Sequence, residues 1–210
     1  MKKTNYFVKF FSPLITLFLV VYVVFSCWAY LACWNAAASL PSNIPQEFLR
    51  IKIYGTSTEA AVTGKDSGTV SGTFSIIDSN GNEIAVIERS WSGSYLAVEF
   101  SCISLENHTF IFPARIYGRK HIIEDRGERS KGTFLEKYYD DYRQCMLLGY
   151  GSTLRQRKLL YKIAAFATGK YKVPSFGLIR RFSIDLSGCR PDHYYSISFD
   201  ENGHFIVEEL

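Results

Sequence analysis

Hydrophobic and polar positions follow three successive patterns along this chain. From Phe10 to Trp34 no side chain is charged, and these 25 residues would make roughly 37 Å of helix at ~1.5 Å per residue, against a bilayer core of about 30 Å. The run reads as one transmembrane helix, residues 10–34, because only a helix satisfies such a backbone in lipid. Pro13 falls in its first turn, where a missing donor costs least. From Phe48 onward the period drops to two. A strand is expected at Phe48–Tyr54, then a polar loop from Gly55 to Gly68. Thr69–Ile77 and Glu83–Glu88 alternate on either side of Asp78-Ser79-Asn80-Gly81-Asn82, whose Asn-Gly pair suits a hairpin turn with positive φ. Tyr95–Ile103 and Thr109–Tyr117 continue the antiparallel meander, with Pro113 marking an edge or a bulge.

The third pattern is helical. Thr133-Phe134-Leu135-Glu136 has the form of a capping box, and Leu135, Tyr138, Tyr142 and Cys145 then recur at spacings of three and four. Gly149-Tyr150-Gly151 ends that helix, and Ser152 caps a second one running to Gly169, with Leu159, Leu160, Ile163 and Phe166 turned inward. Together they predict an αα-hairpin. Strand patterns return at Gly177–Leu186, Tyr194–Phe199 and His204–Glu208, the last two joined as a hairpin. The expected architecture is therefore α+β. It comprises an N-terminal flank at 1–9, the span at 10–34, a connector at 35–46 containing Pro41 and Pro45, and one extracytoplasmic domain at 47–210.

Charge sets the orientation. Lys2, Lys3 and Lys9 precede the span, while the first basic residues after it are Arg50 and Lys52, so the N-terminus is expected in the cytoplasm and the domain outside. Cleavage after the small residues Ala36-Ala37-Ala38 would instead release a secreted protein. Cleavage before Cys27, in the lipobox-like Val24-Phe25-Ser26-Cys27, would leave a lipoprotein. The run is much longer than the ~7–15 residues of a signal core, which selects the uncleaved anchor.

The whole chain carries 24 basic and 20 acidic side chains, and three of the basic ones lie before the span. The outer body is thus nearly neutral, which argues against nucleic acid as a partner. Cys102, Cys145 and Cys189 in the body are too few for a disulfide-built scaffold and read as small buried hydrophobes. The Asp78–Asn82 stretch lacks the glycine and glutamate of a calcium loop. His121, Glu124 and Asp125 have a spacing compatible with two metal ligands, but a solvated connector of mixed charge accounts for them. No cofactor motif is present, and neither a serine-nucleophile elbow nor a zinc-protease motif nor a phosphate loop occurs.

One asymmetry stands out. Between Tyr142 and Ile184 there are nine Lys or Arg residues and no Asp or Glu. On the second helix Arg155, Lys158 and Lys162 share a stripe, which Lys170, Lys172, Arg180 and Arg181 extend. Such a stripe suits an anionic surface or the acidic face of an envelope protein. The overall layout and the stretch Thr69–Tyr117 resemble uncharacterised single-span bacterial envelope proteins, a resemblance that implies an anchored topology and carries no activity. The sequence therefore points to a membrane-anchored binding or scaffolding protein of the cell envelope. The alternative is an envelope enzyme, which requires a deep pocket where titratable side chains converge.

Overall fold

The computed structural model describes residues 3–41, 47–58, 68–105, 108–120, 131–175, 177–200 and 203–210. Its apolar N-terminal run is a single helix, α1 (Lys3–Ala37), which contains the whole expected span. Within it, Ser12–Ala37 is long and apolar enough to cross a membrane. Because α1 begins at Lys3, Pro13 lies inside the helix and not in its first turn.

Eleven strands follow among the described residues, and their pairings are antiparallel. The first sheet has the order β11-β10-β1-β2-β3, built from β1 (Leu49–Thr58), β2 (Gly68–Ile77), β3 (Glu83–Ser92), β10 (Tyr194–Phe199) and β11 (Phe205–Glu209). The second has the order β6-β5-β4-β9, from β4 (Tyr95–Leu105), β5 (His108–Arg119), β6 (Thr133–Phe134) and β9 (Ile179–Asp185). An aromatic seam joins the sheets face to face. Phe100 on β4 lies 5.7 Å from Phe48 and 4.5 Å from Phe205, and Phe182 on β9 lies 5.5 Å from Phe205. The other face of the second sheet is covered as well, so every residue from Leu96 to Ile103 is buried.

The turn at Asp78 explains the β2–β3 hairpin in detail. Its carboxylate accepts the backbone N–H groups of Asn80 and Asn82, both at 2.8 Å, so a fully buried Asp is satisfied by its own turn. Gly149 packs against it. A Cβ at that position would meet both the Asp78 carboxylate and the Asn80 amide, and its φ of +77° is a second reason for glycine. Pro113 sits at a register slip, where Glu99 pairs with Arg115 and Phe100 with Pro113. The expected bulge is there, and the Pro113 carbonyl is free to accept the Tyr139 hydroxyl at 3.0 Å.

The helical region differs from expectation at its start. Thr133 does not cap a helix, because its hydroxyl accepts from Trp91 Nε1 at 3.0 Å and Arg89 at 3.2 Å. Residues 133–134 add to β5 as a short strand. Only one helical turn, α2 (Glu136–Tyr139), follows. The chain then makes a two-stranded hairpin, β7 (Asp140–Asp141) and β8 (Gln144–Cys145), and a 3-10 turn at Met146–Leu148. The first arm of the αα-hairpin is thus a single turn. The second arm is a full helix, α3 (Leu154–Ala167), capped by Thr153 and not Ser152, with Gln156 completing a reciprocal capping box. Leu160, Ile163 and Phe166 are buried as expected, and Leu159 is half-buried.

Helix α1 packs against α3. The Tyr30 ring meets Phe166 edge-on at 5.0 Å near the C-terminal end of α3, while Pro41, just past α1, lines a hollow with Ser152 and Gln156 at the other end. The two helices therefore run antiparallel.

A polar cleft at the end of helix α3

On β4, Glu99, Ser101 and Ile103 share one face by the period of two. That face is the one α3 packs on, since the residues that follow α3, Thr168 to Lys170, line a cleft of about 220 Å³ together with Glu99 and Ser101. Arg115, Glu136 and Arg181 complete its charged wall. The cross-strand register explains the grouping: Glu99 pairs with Arg115 on one side and Ser183 on the other, and Ser101 pairs with Arg181.

The charges in the cleft face one another. Glu99, only 4% exposed, has Arg181 Nε at 3.9 Å from its Oε1. Lys170 Nζ reaches Glu136 Oε1 at 3.2 Å and Asp140 Oδ2 at 3.0 Å, and it stands 5.0 Å from the centre of the Tyr161 ring. Burial by itself would lower the Lys170 pKa, but hydrogen bonds to Tyr161, Asp140 and Glu136 outweigh it and raise the pKa above the usual lysine range. Lys170 is therefore held as a cation that pins the end of α3 to the β7–β8 hairpin. The Arg115 guanidinium lies 4.2 Å from the Phe134 ring centre, a cation–π distance.

No family model, curated protein or solved structure matches this chain.

The three residues singled out on α3 lie where helical spacing puts them. Arg155, Lys158 and Lys162 are all exposed, and none makes an ion pair among the described residues. Arg157 turns away, half-buried, with Nη1 3.9 Å from Met146 Sδ. The rest of the basic window does not extend that stripe as one surface. Lys170 and Arg181 enter the cleft, Arg180 is exposed on β9, and Lys172 is exposed beside α1. Carboxylates from outside the window, at positions 99, 136 and 140, balance part of its charge.

Glu99 is the cleft residue that sequence reasoning passed over. Its signal was one charged side chain in an otherwise uncharged strand from Leu96 to Ile103. A smaller cavity of about 170 Å³ is bordered by Arg89, Trp91, Lys120 and Lys131. There Arg89 and Trp91 both donate to Thr133, so these groups tie β3 to β6. His121, Glu124 and Asp125 lie outside the described residues.

Cys102 and Cys145 are buried as expected, and Cys189 is half-buried. Burial pushes Cys145 up to about 12 and Cys189 up to about 11, and it also raises Cys102. A thiol that stays protonated at neutral pH is a poor nucleophile and a poor metal ligand.

Proposed function

We propose that this chain is a single-pass protein of the cell envelope, with its N-terminus in the cytoplasm. Its outer α+β domain, residues 47–210, binds or scaffolds a partner at the membrane surface. One observation carries the anchor: the second half of α1 belongs to the hydrophobic core of the domain. Ala29, Cys33, Ala36 and Ala37 are buried in the same cluster as Leu160, Ile163, Ala164, Phe166 and Ala167 of α3. Cleavage after Ala38 would strip that cover from α3 and leave an apolar face in water. A retained helix keeps the face covered and leaves to lipid the apolar run from Phe10 to about Tyr30, roughly 31 Å at ~1.5 Å per residue, whose side chains are exposed from Ser12 to Phe25.

The intact mass of protein extracted from its own membranes tests this. A full-length mass supports the anchor, and loss of 38 residues overturns it. Loss of 26 residues with an added lipid moves the anchor to Cys27 while leaving the docked segment in place.

The binding role rests on the exposed Arg155, Lys158 and Lys162. Replacing all three with Glu should weaken capture of an acidic envelope component, and unchanged capture removes the stripe from the proposal. The enzyme alternative gains little from the cleft, whose volume falls below the ~300–1,000 Å³ usual for ligand pockets and whose Lys170 and Arg181 face carboxylates.

A further inference from the structure

Three contacts tie α1 to one short segment after α3. The Tyr22 hydroxyl donates to the Lys172 carbonyl at 3.4 Å, the Phe25 ring meets Tyr171 edge-on at 6.5 Å, and the Tyr30 hydroxyl donates to the Pro174 carbonyl at 2.7 Å. The segment thus runs beside α1 from Tyr22 to Tyr30, the stretch in which the helix passes from fully exposed to docked. In the anchored reading, that transition is where the chain leaves the lipid.

The β7–β8 hairpin is fastened to the same place. Lys170, one residue before Tyr171, holds Asp140 at 3.0 Å, and Asp140 pairs with Cys145 at the base of the hairpin. Its tip is Tyr142-Arg143. Both residues take positive φ, 47° and 63°, a conformation that bulky side chains adopt rarely, and neither is needed for the core. Tyr142 is 91% exposed, and Arg143 and Lys172 are exposed without an ion pair among the described residues. The Arg143 charge also reaches Tyr171: burial raises the pKa of that hydroxyl, while Lys170 and Arg143 pull it back. Tyrosines with half-wet rings beside Lys and Arg are what the headgroup zone of a bilayer favours.

We propose that the Tyr142-Arg143 tip, together with Tyr171 and Lys172, is a second membrane contact that seats in the anionic headgroup layer beside α1. This rests on the anchored reading. It implies that the domain lies against the bilayer at a fixed tilt and does not swing on a tether, because the tip and the helix belong to one packed body.

The test uses the full-length chain in vesicles of phosphatidylcholine, with or without about 30% phosphatidylglycerol. A photo-crosslinking residue, p-benzoylphenylalanine, replaces Tyr142 in one sample and Leu154, exposed at the far end of α3, in another. Lipid adducts at 142 and not at 154, more abundant with phosphatidylglycerol, are the expected result. Combining the probe with Arg143→Glu and Lys172→Glu should remove the phosphatidylglycerol preference, about fivefold for each basic residue. Equal adduct yields at 142 and 154, from protein that stays in the vesicles through an alkaline wash, overturn the tip contact and leave the anchor standing. Protein released by that wash overturns the anchor and this proposal with it.

Discussion

The two halves of α1 are both uncharged from Ser12 to Ala37 and yet live in opposite surroundings. From Ser12 to Phe25 every side chain is exposed, and most are large: Leu14, Ile15, Leu17, Phe18, Leu19 and Val20 among them. From Ser26 onward, Ser26, Ala29, Cys33, Ala36 and Ala37 are buried at spacings of three and four, while Trp28, Leu31 and Trp34 between them are exposed. The buried positions of the second half are all small, whereas the first half is mostly bulky. Small side chains let the backbone of α3 approach closely, and α3 answers with Ala164 and Ala167. Bulky side chains on all sides offer no such seam and suit a fluid apolar solvent.

Removing both halves gives the largest effect expected. A chain beginning after Ala38 loses the burial of five small residues and of α3 beneath them, on the order of 5 kcal/mol, against a net stability of about 5–15 kcal/mol for a domain. Such a chain should unfold at far lower denaturant or aggregate. A well-folded soluble domain with unchanged midpoint would erase the difference between the halves.

Alkaline pH should separate them more gently. Cys145 and Cys189 titrate near 9.0 when unfolded but near 12 and 11 in the folded domain. Because the native state keeps these protons longer, their stabilisation is complete below about pH 9 and is lost as pH rises through the folded values. The melting temperature of the domain should therefore fall steadily above pH 9. The exposed half has no titratable side chain from Ser12 to Val21, so the protein should stay with sedimented membranes throughout. A domain that keeps its melting temperature while the protein is extracted would reverse the assignment.

Much of this was legible in the sequence because it is local. The period-two runs gave β2 to β5, the Asn-Gly turn gave the hairpin at Asp78, and α3 followed from Leu160, Ile163 and Phe166. The first helix was misread because the hydroxyl of Thr133, which looked like a cap, is used by Trp91, 42 residues away in sequence. The cleft was hidden for the same reason, since Glu99, Glu136 and Arg181 come together only through sheet register and the end of α3. The apparent basic window between Tyr142 and Ile184 dissolves partly in three dimensions, because its acidic partners lie elsewhere in the chain. Docking of α1 was missed because an apolar run was read as a whole, without separating small from large residues.

Single substitutions probe the seam itself. Ala36 is fully buried, and Ala36→Leu should overpack it at a cost of about 1–3 kcal/mol. Val20→Leu, in the exposed half, should change stability by less than about 0.5 kcal/mol. Thermal unfolding of both variants in the same detergent checks the contrast, and equal shifts would mean that the seam extends further toward the N-terminus.

The smallest effect locates the upper end of the seam. Tyr30→Phe keeps the ring that packs on Phe166 and removes only the hydroxyl bonded to Pro174 at 2.7 Å, which should cost about 1 kcal/mol. Tyr22→Phe removes a longer, exposed bond of 3.4 Å to Lys172, where solvent competes, and should cost within about 0.5 kcal/mol. The order of these two losses in denaturant unfolding carries the information. If Tyr22 matters as much as Tyr30, the domain grips α1 a full two turns earlier, and the exposed half is correspondingly shorter. If only Tyr30 matters, the grip begins near Phe25, and Tyr22 belongs with the exposed half.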